Sequence, residues 1–282
     1  MGGKLRVLDL FSGISGFTLG LDRAGGFETV RFIEKDPYCR RLLAARHPGV
    51  PCDPDVTTAD FEEGEADVIV GGFPCQDLSN AGRGAGLAGS RSGLYRELVR
   101  AIRVVRPLYA IVENVAALLG RGMGVVLGDL AESGYDAAWD CIPASAVGAP
   151  HQRDRVWIVA HPGGEQHEGK GDAVWGQAAA GLPEAFERNT GLRSLGEEMA
   201  DAASVRRREG HANCGGRGPR SGEEQGARSS GGGWWATEPD VGRVAHGVPA
   251  RVDRLRALGN AVVPQIPELI GRAILSTLKE AA

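Results

Sequence analysis

The chain has 282 residues, of which 42% are hydrophobic and 24% charged, with a formal net charge of −4. That length allows one large domain, or one domain carrying a smaller insert, and the composition is that of an ordinary globular protein. No run approaches the roughly 18–20 apolar residues of a membrane span, and the acidic balance does not by itself point to nucleic acid.

In chain order, the N-terminus leads straight into a strand pattern with no apolar signal region, and Arg6 breaks the myristoylation pattern. Val7-Leu-Asp-Leu10 reads as the first strand and residues 17–24 as its helix. Thr29–Ile33 is a second strand, followed by a helix from Pro37 to about His47. Asp67–Gly71 and Tyr109–Glu113 are short buried strands, with a helix from about Leu94 to Val105 between them, and Val156–Ala160 closes this half. Alternating β-branched runs and helical patterns predict a parallel α/β sheet. From 161 to about 240 glycine is frequent, strand patterns vanish, and Arg206-Arg-Arg208 and Gly231-Gly-Gly233 punctuate the segment. Such composition reads as a mobile insert, with Trp234 and Trp235 as a docking point. A final helix is expected from about Gln265 to Lys279, giving three segments: a body over 1–160, an insert over 161–240 and a return segment over 241–282.

The five cysteines are scattered with no C-x-x-C pair, which argues against a disulfide framework and a cysteine zinc site and fits a reducing cytosol. The arginines cluster, at Arg83 to Arg106, at Arg153 and Arg155, and at Arg243 to Arg256, so a local basic face could meet phosphate on an acidic protein.

Three stretches carry chemistry. Asp9-Leu-Phe-Ser-Gly-Ile-Ser-Gly16 is a glycine-rich turn between the first strand and its helix, where backbone can approach a nucleotide cofactor closely. Phe11 replaces the first glycine of the dinucleotide fingerprint, which weakens a nicotinamide reading. Glu34, just past the second strand, stands where a carboxylate accepts hydrogen bonds from a ribose diol. Gly71-Gly-Phe-Pro-Cys-Gln-Asp-Leu-Ser79 puts Cys75 at the carboxyl end of a buried strand, ahead of a long glycine-rich stretch over 76–92 that reads as a functional lid.

In order and spacing these segments resemble the DNA (cytosine-5) methyltransferases. The glycine turn looks like that family's first motif, Gly72-Phe-Pro-Cys-Gln76 like its nucleophile motif, and Glu113-Asn-Val115 like its acidic motif. Gln152-Arg-Asp-Arg155 resembles the paired-arginine motif, and Leu258-Gly-Asn-Ala-Val262 the last motif. Ser15-Gly16 stands where the family has a double glycine, and His151 where it commonly has Gln.

The resemblance implies a Rossmann-like S-adenosylmethionine-dependent methyltransferase fold with a small, Gly-rich target-recognition insert. It implies methyl transfer to carbon 5 of a flipped-out cytosine in double-stranded DNA, by way of a covalent Cys75 adduct. Glu113, Arg153 and Arg155 would complete the catalytic set, with Glu113 on ring nitrogen 3, Arg155 on the base's carbonyl oxygen and Arg153 bracing the site. S-adenosyl-L-methionine would lie among Phe11, Gly13, Ile14, Gly16, Glu34, Asp55, Val56, Pro74 and Asn260, with no metal. Asp55 could equally be a structural Asx turn. DNA would meet Gln76, Ser79, Arg83 and Arg91 of the lid. A monomer in the cytoplasm, associated with the nucleoid and paired with a cognate restriction endonuclease, completes the expectation. The competing readings are a catalytically silent DNA-binding or regulatory homologue, and the tRNA-methylating branch, whose Cys-Phe-Thr motif is not found in this sequence.

Overall fold

The computed structural model describes residues 3–74, 93–164, 170–181 and 250–280. The elements are β1 (Leu5–Leu10), α1 (Gly16–Ala24), β2 (Phe27–Ile33), α2 (Pro37–Arg46), β3 (Cys52–Asp53) and β4 (Val68–Gly71). Then follow α3 (Gly93–Val105), β5 (Tyr109–Val115), α4 (Leu118–Arg121), α5 (Met123–Glu132) and β6 (Tyr135–Pro143). A short 3-10 turn (Ala144–Val147), β7 (Asp154–Pro162), α6 (Lys170–Ala180), α7 (Arg251–Asn260) and α8 (Gln265–Glu280) complete the described chain.

The seven strands form one sheet in the order β3-β2-β1-β4-β5-β7-β6. It is mixed rather than wholly parallel: β7 pairs antiparallel with both β5 and β6. Hydrophobic periodicity predicts a strand at 156–160 but carries no information about its direction, which is set by the β6–β7 hairpin. The connection is closed where the Ala144 N–H donates to the Gln152 carbonyl at 2.6 Å.

The strands are apolar on both faces because helices cover both. Leu8, Leu10, Ile69, Ala110, Val112, Val156 and Ile158 point to a core shared with α3, α4 and α5. Their sequence neighbours Val7, Val68, Val70, Tyr109, Ile111, Trp157 and Val159 point the other way, to a core shared with α1, α6 and α8. The period of two along each strand divides the layers. On α3 the buried residues Tyr95, Leu98, Val99, Ile102 and Val105 recur at the three- and four-residue spacing of one helical face. On the opposite layer, a Cβ at Gly271 would stand 2.9 Å from Leu21, so this glycine lets α8 lie directly on α1.

Helix α6 lies within the range expected to be a mobile insert, yet it packs on α8 and β6. Val174, Trp175 and Ala178 are buried. The His161 ring anchors its start, Nε2 accepting from the Gly171 N–H at 2.9 Å. Residues 165–169 and 182–240 of that segment, including Arg206 to Arg208 and Trp234–Trp235, lie outside the described residues.

Candidate active site

Strand register fixes what the site is made of. Leu10 pairs with Ile33 on one side and Gly71 on the other, and Gly71 pairs in turn with Val112. The next residue along each chain, Phe11, Glu34, Gly72 and Glu113, therefore falls in one row toward the carboxyl edge of the parallel strands. This is the edge where open α/β sheets bind ligands. Because β7 runs in reverse, its beginning reaches the same edge: Val115 pairs with Arg155. The antiparallel strand is thus what brings two arginines to a row of strand ends.

The centre of the row is an ion pair. Arg155 Nε meets Glu113 Oε1 at 2.9 Å, and Glu113 is only 9% exposed. Burial pushes the Glu113 carboxyl above its ordinary range, opposed by the charges of Arg155 and Arg153. Gly72 lies against this carboxylate, so close that a Cβ there would stand 2.9 Å from Oε2. Asn114 ties the neighbouring turn down, its Nδ2 donating to the Phe73 carbonyl at 3.0 Å. Phe73 itself is buried against Tyr95 of α3, ring centroids 5.1 Å apart. Cys75, Gln76, Ser79, Arg83 and Arg91 lie outside the described residues; Pro74, half-buried, is the described residue bonded to Cys75.

Beside this centre is the glycine turn. Phe11, Gly13 and Ser15 all have positive φ, at 55°, 55° and 67°, which turns the chain sharply from β1 into α1. Glu34 holds the turn: Oε2 accepts from the Gly13 N–H and Oε1 from the Asp36 N–H, both at 2.7 Å. Beneath it Asp9 is fully buried, with Oδ2 accepting from Thr18 at 2.8 Å and Oδ1 without a partner. Burial raises its carboxyl to about 7, Thr18 and Ser12 opposing.

A cavity of about 310 Å³ opens between this turn and the return segment, with Ile14, Gly16, His151, Arg153, Ala261 and Val262 in its walls. Of the residues expected at the cofactor only Ile14 and Gly16 line it. Glu34, Asp55 and Val56 stand toward β2 and β3, Val56 being buried in the core. Asn260 ends α7 exposed to solvent. Asp55 Oδ1 accepts from the Thr57 N–H at 2.9 Å and from its hydroxyl at 2.8 Å, so the Asx turn is present. The backbone bond to Thr57, then its hydroxyl, hold this carboxyl below its ordinary value.

These residues fit an adenosyl cofactor. Where a Cβ would stand on Gly13 the nearest atom is the Phe11 carbonyl oxygen at 4.0 Å, so the turn leaves room above its backbone. One carboxylate follows β2 and another lies just past β3, acceptors suited to a ribose diol and an adenine amine, with an aromatic ring at the end of β1 for the adenine face. Sequence reasoning passed over Asp9, Gly72 and Asn114 as participants. Asn114 was within a quoted motif, but nothing in a sequence says that a side-chain amide reaches a carbonyl on the adjacent strand.

A glycine turn, a carboxylate just past the second strand and a buried acid–arginine pair thus share one sheet edge. The chain belongs to the C-5 cytosine-specific DNA methylase family, whose model matches residues 5–203. It is 38% identical over 164 residues to the type II methyltransferase M2.BsuMI of Bacillus subtilis (strain 168), a match covering 55% of this chain and 42% of that protein. It is 33% identical over 162 residues to M.NlaX of Neisseria lactamica, covering 55% and 51%. It is 32% identical over 168 residues to the orphan methyltransferase M.SPRI of Bacillus phage SPR, covering 56% and 38%. Each match thus spans about half of the relative's length or less. Among the described residues no helix is long and apolar enough to cross a membrane.

Proposed function

We propose that the chain transfers a methyl group from S-adenosyl-L-methionine to carbon 5 of a cytosine flipped out of double-stranded DNA. The observation that carries this reading is the buried Glu113–Arg155 pair set against Gly72, three residues before Cys75. On this reading the sheet is a Rossmann-like methyltransferase fold.

When bound, the cofactor supplies an electrophilic methyl group. The ring of Phe11 would pack on its adenine, Glu34 would bind the ribose, and Asp55 would take the adenine amine with Val56 beside it. Gly13, Ile14, Gly16, Pro74 and Asn260 would hold the methionine end. Carbon 5 of cytosine is too weak a nucleophile to take a methyl group directly. Addition of the Cys75 thiolate to carbon 6 forms a C–S bond and moves the ring's electron pair so that carbon 5 becomes an enamine carbon. Positive charge close to the thiol would favour the thiolate. Glu113 would hydrogen-bond ring nitrogen 3 and the exocyclic amine, stabilising the protonated intermediate, and Arg155 would orient the base's carbonyl oxygen. After methylation, loss of the carbon 5 proton expels the thiolate.

No side chain can reach carbon 6 inside a duplex, so the base must be flipped, at a cost of a few kcal/mol. Gln76, Ser79, Arg83 and Arg91 would contact the DNA around the vacated stack. Selection of the flanking sequence is assigned to the segment between 181 and 250, whose arginines suit phosphates or guanine edges. The protein acts as a monomer in the cytoplasm, on the nucleoid, with a restriction endonuclease as its candidate partner; the relatives include both type II and orphan enzymes. Methylating mixed DNA and mapping converted cytosines by bisulfite reading tests the function: 5-methylcytosine at a defined short sequence is expected. No cytosine methylation, from protein that binds S-adenosylhomocysteine, would overturn it.

A further inference from the structure

One arginine of the pair makes contacts that a base-facing role does not explain. Arg153 immediately precedes β7 with a φ of 43°, and its side chain crosses to the far end of the chain. Nη1 donates to the Gly259 carbonyl at 2.7 Å and Nη2 to the Ala261 carbonyl at 2.8 Å. Arg155, by contrast, is the residue bonded to Glu113.

What Arg153 grips is weakly held by anything else described. Of the residues of α7 only Ala257 is buried, while Val252, Leu255 and Leu258 are 78%, 59% and 64% exposed. A longer ion pair joins Arg256 of that helix to Asp36 at 3.3 Å. Just beyond the gripped carbonyls, Val262 lies over the glycine turn: a Cβ on Gly16 would stand 2.6 Å from its Cγ2 and 2.9 Å from its carbonyl oxygen. Arg153, Ala261, Val262, Ile14 and Gly16 all line the same cavity.

We propose that Arg153 is a positioning residue, a latch that holds residues 259–262 against the glycine turn and so completes the methionine end of the cofactor site. A planar guanidinium can present two N–H groups in fixed geometry to carbonyls two residues apart, which an ammonium cannot. This assignment rests on the cofactor proposed above and names what Arg153 braces.

The test compares R153A, R153K and R155A. Alanine at 153 inherits the same backbone conformation, so the loss reports the guanidinium. R153A is expected to weaken S-adenosylhomocysteine binding in calorimetry at least tenfold. It should raise KM for the methyl donor in parallel, with kcat at saturating donor within about threefold of the parent. In the cofactor-free protein the amides of 258–262 should exchange at least tenfold faster. R153K should fall between parent and R153A, and serves alone if R153A does not fold. R155A should do the reverse, lowering kcat with cofactor affinity within twofold. Unchanged affinity and unchanged amide exchange in R153A, or in R153K standing alone, would overturn the latch. If the parent itself bound no cofactor the proposed function would fail, while amide exchange would still decide whether Arg153 holds the segment.

Discussion

At the scale of single residues the account rests on carboxylates that burial has changed. Glu113 sits beside Arg155 and keeps a raised carboxyl because desolvation outweighs the arginine. Glu113→Gln keeps the shape and removes the acid, so kcat is expected to fall about 10²-fold or more, the scale of a lost acid or electrostatic stabiliser. Cofactor affinity should stay within twofold, and a rate within twofold of the parent would mean that Glu113 takes no part. Asp9 makes a separate prediction about stability. Its folded carboxyl is raised to about 7 from an ordinary value near 4, so the folded state binds the extra proton between those values. Its contribution is fully present below about pH 4 and is lost as pH rises through about 7, by up to about 4 kcal/mol for one fully buried group. Asp9→Asn keeps an acceptor for Thr18 and does not titrate. Urea midpoints at pH 5 and pH 8 should therefore lie closer together in the mutant than in the parent, and equal spacing would contradict the assignment.

At the scale of elements, glycines report how closely the return segment packs. A Cβ on Gly20 would run into the Pro264 carbonyl and stand 2.9 Å from the Glu268 nitrogen, both backbone atoms. Gly20→Ala should therefore destabilise by roughly 1–3 kcal/mol despite alanine's better helix propensity. Gly128→Ala on α5 meets nothing within 4 Å and should be neutral or stabilise by up to about 1 kcal/mol. Chemical denaturation of the two mutants checks the contrast. Elements with plain periodicity were legible in the sequence: β1, β2, β4, β5, α1, α2, α3 and α8 fall within a few residues of their expected bounds. Strand β6 was not, because Asp136, Ala137, Ala138 and Asp140 dilute its apolar pattern. Helix α6 was hidden by the glycines around it, although Val174, Trp175 and Ala178 mark its buried face. In the site, the glycine turn and Glu34 were readable from the residues alone. The roles of Glu113 and Arg155 came from resemblance, and the grip of Arg153 on carbonyls more than a hundred residues away leaves no trace in a pattern of side chains.

At the scale of the whole molecule, the described body already holds the sheet, both helical layers and the row of site residues up to position 181 and from 250. Replacing residues 182–249 by a short Gly/Ser linker is therefore expected to leave S-adenosylhomocysteine affinity within about twofold and to abolish site-selective methylation. The same sites methylated at the same rate would move recognition to the 75–92 segment and α7. The proposed methyl transfer depends above all on covalent chemistry at Cys75. The most direct measurement is denaturing electrophoresis of the protein incubated with S-adenosylmethionine and duplex DNA carrying 5-fluorocytosine at the methylated position, for the parent and for Cys75→Ala. Fluorine at carbon 5 blocks the proton loss that would release the enzyme. The parent should shift to a covalent protein–DNA band while the mutant does not, with cofactor binding retained in both; turnover by the alanine mutant, or an adduct formed without Cys75, would contradict the account.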